Sequence, residues 1–530
     1  MAATHTTIER LADWACDLAL DDVPAEVVDL NRAQRRSVLA AVAASTGDAA
    51  SRRVLAGIES WAPDGDVALI GTDRRVPLDD ALYGATALAV ALDFDDYACF
   101  GHTGHTAVLV PLLVATQTGA SAADQLGAQV VANEVEARLG GACLVGPLNG
   151  QLWSFIHSAG TALAAGRMWG LDRTRLAHAL ALSLYQAPRP TVPGFMAPDS
   201  KLLTVSEPAV MGLRAARLAA AGVTGPLDVL DHDAGFFSGF AYTPLPAVLG
   251  GLGEGWATRT LSVKPYPGCA YVDTTVDALL SIDPLPAADE IAEIVVDASV
   301  LSCEMDALSR RYGTDGPPTP VTVNFSIPWN VAVTVAAGRL TPTETSEAWL
   351  TDNHAALSDL ARKVTLRHDW SLTLTTARAM APLLPPRSMF DGAGGIRKVG
   401  RALAKVRGDR DALHVGRSEV SALARALRAD GGLGTVRDAM RSRRLWDDEA
   451  LSDFRMAFPA RVTIRRTDGT ELVAEAETPR GGAGNPEVSP EVVSRDKLAA
   501  WGPRAWGVEG TDRIAKAIDT DADDLPALLG

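Results

Sequence analysis

From residue 7 to about residue 245 the chain reads as one helix after another, rich in alanine and interrupted by glycine. Ile8, Leu11, Ala12, Ala15, Leu18 and Ala19 recur at the spacing of a helix with one buried face. Asp22 and Pro24 mark the start of the next helix, proline being favoured in a first turn. The same periodicity predicts helices over 79–92, 107–118, 122–139, 158–169, 173–184 and 209–221, with Gly119, Gly140-Gly141 and Gly170 among the breaks. Side chains this small let helices pack closely, so this half is expected to form a large all-α domain.

The character changes near Thr258. Residues 291–300 are apolar and β-branched, 321–325 and 364–367 alternate, and 460–477 read as a hairpin around Asp468-Gly469. The expected fold is therefore mainly α, with a helical domain over 1–257, an α+β lid over 258–480 and a return to the helical domain over 481–530. Within the lid, 385–450 holds Arg387, Arg397, Lys398, Arg401, Lys405, Arg407, Arg410, Arg441, Arg443 and Arg444. It reads as a basic insertion with some helix over 420–427. Such runs are ordinarily solvated faces.

A net charge of −16 argues against nucleic acid or an anionic membrane as a partner of the whole chain. It leaves an anionic small molecule open, because a local cation cluster acts within a screening length. The five cysteines are scattered without a CxxC pair, so no zinc site or disulfide framework is expected, and an odd count fits a reducing cytoplasm. Residues 1–10 lack a basic region followed by an apolar run, so no signal peptide is expected. No apolar run of about 18 residues is present, so no membrane span is expected.

The stretch richest in chemistry is Asp93-Phe94-Asp95-Asp96-Tyr97, followed by Cys99-Phe100-Gly101-His102-Thr103-Gly104-His105. Crowded carboxylates shift their pKa values upward or take up a cation, and histidine moves protons near neutral pH. The plainer alternative is a polar loop whose aspartates cap the next helix.

The order of features resembles the MmgE/PrpD family of dehydratases, decarboxylases and epimerases. The Asp93–Asp96 motif is similar to the family's Asp-Phe-Asp-Asp-Thr segment. His157 with Gly160 to Asp172, Asp199-Ser200-Lys201-Leu202 with the run from Ala215 to Pro226, Lys264-Pro265-Tyr266-Pro267-Gly268-Cys269 and Phe458-Pro459-Ala460-Arg461-Val462 resemble further family motifs in the same order. The resemblance implies a helical domain built from both chain ends with a smaller α+β lid, a homodimer, and a cleft site for a small carboxylate that uses neither metal nor cofactor.

By the same resemblance, Lys201 and Lys264 are expected to anchor a substrate carboxylate, with Lys201 also a candidate proton donor. Contacts of this kind contribute roughly 1.5–3 kcal/mol each. His157 is expected to contact substrate. Either His102 or His105 is the acid/base, His102 by its distance from Asp93 and His105 by its distance from Pro111. Asp93 is expected to orient that histidine, and Asp96 to be structural. Three positions depart from the family. Tyr97 stands where threonine is usual, Cys269 where a decarboxylase of the family has histidine, and Trp329 near the family's lid tyrosine. Together they make the pocket less polar, which points to a smaller or more apolar acid. The residues fit a lyase, by dehydration or decarboxylation. They equally fit an epimerase with the same proton chemistry, or a non-catalytic interaction protein on the same fold.

Overall fold

The computed structural model describes residues 5–196, 198–313, 316–383, 417–429 and 446–530. Most of the basic stretch expected over 385–450 lies outside the described residues. The helix expected over 420–427 is present as Arg417–Ala429.

The N-terminal helices fall where the apolar periodicity places them. Thr7–Asp17 begins with a reciprocal cap between Thr6 and Glu9, and Pro24 precedes the long helix Ala25–Ser45. Leu78–Ala91, Ala122–Ala142 and Arg173–Leu184 match their expected spans closely, and Leu109–Thr118 ends on Gly119 at φ 64°. Two helices begin earlier than expected. Ser154–Met168 takes in His157, which was expected just ahead of the helix, and Leu203–Ala220 starts directly after the turn holding Lys201.

The C-terminal helices return to this core. Leu498, Ile514, Ile518, Leu525 and Leu529 share one apolar cluster with Val38, Leu39, Leu82, Leu88 and Leu112. Arg36 pairs with Asp519, and Arg32 reaches Asp521 at 3.0 Å, fixing this return to the helix Ala25–Ser45.

A four-stranded mixed sheet occupies the later part of the chain, in the order Val364–His368, Ile291–Ala298, Ala460–Arg466, Glu471–Ala476. The first pair is parallel, with Ile294 opposite Val364, and the other two pairs are antiparallel. Arg466 N–H donates to Thr470 O at 2.8 Å across the Asp468-Gly469 turn, as the hairpin reading expects. Its apolar cluster joins Ile294, Val296, Val462 and Ile464 to Val272, Val276, Val331 and Leu357 from the covering helices. One expected strand is absent. Residues 321–325 alternate, but Pro320 and the cap from Thr319 start a short helix, Pro320–Asn324, and burial on all sides removes the face that alternation implies. No described helix is long and apolar enough to cross a membrane.

Candidate functional site

The Asp93 segment leaves the helix Leu78–Ala91 in a strained conformation. Asp93, Cys99 and Phe100 have φ of 52°, 48° and 74°, a region disfavoured for residues with a Cβ. Each such residue costs on the order of 1–3 kcal/mol and persists only where its surroundings over-determine it. The surroundings here come from far along the chain. Asp96 and Tyr97 pair antiparallel with Val263 and Ser262. Lys264 N–H donates to Asp95 O at 3.2 Å, and Gly268 N–H to Asp93 O at 3.2 Å.

That pairing carries Lys264 into a buried charge network. Its ammonium contacts the Asp93 carboxylate, Asp93 O at 3.0 Å and Asp95 Oδ1 at 2.8 Å. Two of these contacts, both to Asp93, are hydrogen bonds, and the approach to Asp95 Oδ1 is an ion pair. Burial alone depresses Lys264, but the two carboxylates outweigh it and raise its pKa. Burial likewise pushes Asp93 and Asp95 up, while Lys264 and its neighbours hold both below the ordinary carboxylate value. Lys201 sits on the other side of Asp93, its Nζ 3.9 Å from Oδ2 and 2.9 Å from Val90 O. It lies over the Phe195 and Phe325 rings, and burial lowers its pKa despite Asp93. Gln151 Nε2 completes the shell of Asp93 at 2.8 Å.

Asp95 connects this network to the histidines. His102 Nδ1 lies 2.7 Å and His105 Nε2 2.8 Å from Asp95 Oδ2. His102 is 6 % exposed and flanked by Tyr97 at 5.9 Å between rings, whereas His105 is wholly buried. Burial lowers the pKa of His102, with Asp95 opposing. The His105 ring lies 5.9 Å from His102 and 5.7 Å from His157. His157 Nδ1 contacts Thr106 Oγ1 at 2.9 Å, which in turn contacts Glu136 Oε1 at 2.8 Å. Cys269 lies in the same electrostatic field, its thiol pushed up to about 12 by burial and by Asp93.

Asp96 faces the other way, accepting from Gln34 Nε2 at 2.7 Å. Burial and Asp95 raise it to about 7. Beneath the loop, Lys497 from the helix Pro490–Trp501 donates to Phe94 O at 2.8 Å and to Ser37 Oγ at 3.0 Å. Asp95, His102 and His105 bring their ligand atoms within 4.8 Å of one another, the grouping among described residues most able to share a cation. His102 is hydrogen-bonded to Asp95 at 2.7 Å, His105 Nε2 approaches the same oxygen at 2.8 Å without a hydrogen bond, and Lys264 already supplies positive charge to Asp95.

Two family domains match the chain, the MmgE/PrpD N-terminal domain over residues 9–246 and the MmgE/PrpD C-terminal domain over residues 266–383. The chain belongs to the MmgE/PrpD family. Among curated proteins it is similar to cis-aconitate decarboxylase of Aspergillus terreus, 25% identical over 292 residues, covering 51% of this chain and 59% of that protein. It is also similar to the cis-aconitate decarboxylase-like protein oryM of Aspergillus oryzae, 27% identical over 317 residues, covering 53% of this chain and 63% of that protein. The chain thus spans about three fifths of the length of the curated relatives it matches.

In this MmgE/PrpD chain Asp93, His102, His105, His157, Lys201 and Lys264, up to 171 residues apart, converge on one contact network. Two details differ from expectation. The carboxylate on His102 is Asp95, because Asp93 is turned toward the two lysines. Lys264 gives two hydrogen bonds to Asp93 and an ion pair to Asp95, whereas Lys201 gives one hydrogen bond, to Val90 O. Trp329 stacks on His354 at 6.3 Å, and the ring that faces Lys201 is Phe325, one helical turn earlier in sequence. Asp95, Gln151, Glu136, Thr106 and Lys497 join the network without having been singled out. For Lys497 a signal existed: it falls with Val493, Ser494 and Leu498 on the buried face of its helix, where a charge is out of place.

Proposed function

We propose that this chain is a lyase that dehydrates or decarboxylates a small carboxylic acid through an α-carbanion or enolate. The observation that carries the reading is the 2.7 Å contact of Asp95 Oδ2 with His102 Nδ1. A carboxylate on Nδ1–H fixes the imidazole tautomer and leaves Nε2 as the base. Among His102, His105 and His157, His102 is the most exposed, and His105 Nε2 is already against Asp95. We therefore assign to His102 the role of the base that takes the proton from the reacting carbon. Lys201, with donors to spare beside Asp93, holds the substrate carboxylate and stabilises the charge that develops on it. Phe195 and Phe325 beside Lys201, with Tyr97 and Cys269, favour a smaller or more apolar acid than a tricarboxylate. Neither metal nor organic cofactor takes part in this reading.

The helical part, 1–257 with 481–530, would carry the acidic loop and His102, and the α+β part, 258–480, would supply Lys264 and cover the cleft. A homodimer is proposed from family membership. A cytoplasmic location is supported by five unpaired cysteines.

One observation favours a second reading. His102 and His157 lie in one cluster, their rings 5.9 and 5.7 Å from the His105 ring, which supplies the second proton-handling group beside His102 that an epimerase requires. Mass spectrometry of a panel of small di- and tricarboxylates in D₂O separates the readings. A lyase gives a product lighter by water or CO₂, whereas an epimerase washes deuterium into otherwise unchanged acid. If neither change occurs with any acid, or if His102→Gln turns over at the full rate, the proposal is wrong.

A further inference from the structure

We infer that Glu136, Thr106 and His157 form a buried proton store that feeds the reacting carbon, so that the proton delivered in each turnover comes from inside the protein. The inference rests on the proposed proton-transfer role of the cluster. Dehydration needs an acid for the departing hydroxyl as well as the base at His102. Decarboxylation consumes one proton for every CO₂ released. His102, held on Asp95, accounts for only one proton-handling group.

Glu136 lies within the helix Ala122–Ala142, and its Oε1 is 2.8 Å from Thr106 Oγ1. The same hydroxyl is 2.9 Å from His157 Nδ1, and Glu136 Oε2 is 3.7 Å from that nitrogen. Glu136, Thr106 and His157 are each at most 1 % exposed, and Glu136 Oε2 has no hydrogen-bond partner. Among the described residues no lysine or arginine pairs with Glu136, which is unusual for a buried carboxyl. Room for it is made by Gly160, on the same helix as His157, where a Cβ would lie 1.7 Å from Glu136 Oε1.

The electrostatics agree with the geometry. Burial, reinforced by Asp96, raises Glu136 well above an ordinary carboxyl, with only the Thr106 hydrogen bond opposing. Burial, reinforced by His105 and His102 and opposed by Asp95, holds His157 well below an ordinary imidazole. In the proposed store the resting pair is a carboxylic acid and a neutral imidazole. With Glu136 ionised the Thr106 hydroxyl donates to its Oε1; with Glu136 protonated, its O–H donates to Thr106 Oγ1 and the Thr106 O–H turns to His157 Nδ1, leaving Nε2–H as the next donor. When the carbanion is protonated, its electron pair forms the new C–H bond with the Nε2 proton. Nδ1 takes the Thr106 proton, and Thr106 takes that of Glu136. The imidazole ends neutral in its other tautomer, Glu136 ends as a carboxylate, and one solvent proton restores the acid after product leaves.

Glu136→Gln keeps the size of the side chain and an acceptor for Thr106, but holds no acidic proton. The infrared difference spectrum of wild type minus Glu136→Gln at neutral pH should contain the band of a protonated carboxyl. A carboxylate band in its place overturns the inference. In turnover, Glu136→Gln and Thr106→Val should each lower kcat by roughly 10²–10⁴ with KM nearly unchanged. Thr106→Ser should recover most of the rate, and the double variant should be no slower than either single one. Wild-type kcat in Glu136→Gln overturns the inference while leaving the assignment of His102 intact. Were the wild type inert toward every acid offered, the lyase reading would fall, and the infrared band would decide whether Glu136 holds the proton.

Discussion

Lys497 Nζ lies 2.8 Å from the carbonyl oxygen of Phe94, although 403 residues separate them. The ammonium also sits 4.0 Å from the Phe94 ring centroid, so a C-terminal helix supports the strained acidic loop from below. Burial drives Lys497 down to about 7 against the pull of Asp95 and Asp96. Between about 7 and the ordinary lysine value the unfolded chain binds the proton and the folded chain does not. Stability from this group therefore rises with pH across that window, and its burial cost is fully present below it. Urea unfolding of wild type and Lys497→Met should show the difference shifting in favour of wild type from pH 7 to pH 9. A difference that stays flat would remove the assigned titration.

The two lysines on Asp93 should separate experimentally. Lys264→Met strands Asp93 and Asp95 as buried carboxylates and should destabilise the fold by about 3–5 kcal/mol, read by chemical denaturation. Lys201→Met leaves Lys264 in place, so it should cost less stability. It should instead raise KM by roughly 10- to 150-fold, the equivalent of one charge-assisted contact. Equal stability losses with unchanged KM would contradict the division of labour.

The pH dependence of kcat/KM should report His102 as a base. Burial lowers its pKa, so the neutral form persists below the ordinary histidine value of 6.5. Activity should rise with pH along an acid limb centred under 6.5 and be flat through neutrality. The limb should disappear in whatever residual activity His102→Gln retains. A limb centred above 7 would point to another group.

Much of this site is legible in the sequence, and the failures have specific causes. The family motifs carry Asp93, His102, His157, Lys201 and Lys264 because each is embedded in a local pattern. The exchange of roles between Asp93 and Asp95 is not legible, since it turns on the positive φ of Asp93, which points its carboxylate toward Lys264. Phe325 was not singled out because residues 321–325 alternate like a strand, whereas the helix Pro320–Asn324 places Phe325 against Lys201. Glu136 lies on a helix buried along nearly its whole length, so periodicity singles out no face for it.

Gly104→Ala tests how tightly the loop is packed. A Cβ there would lie 2.1 Å from Asp96 Oδ1 and 2.7 Å from Val38 Cγ2. The substitution should destabilise the fold by about 1–3 kcal/mol through forced displacement of Asp96, read as a lowered Tm. An unchanged Tm would mean that Asp96 moves freely, contrary to its bond with Gln34.

Exhaustive dialysis against EDTA should leave turnover unchanged. Loss of activity that is restored by one divalent ion would instead assign that ion to Asp95, His102 and His105.

The two-residue pairing of Asp96-Tyr97 with Ser262-Val263 has a consequence for how such a protein can diversify. Because Lys264 follows directly on that ribbon, acids and counter-cation are spliced into one rigid unit from opposite sides of a helical half of the chain. Drift in either segment alone would uncouple charge from charge, so the unit tolerates change only in concert. The freer positions are those around it, namely Cys269, Phe195 and Phe325. New substrate preferences in a lineage descended from this chain would be written there, while the ionic centre stays fixed.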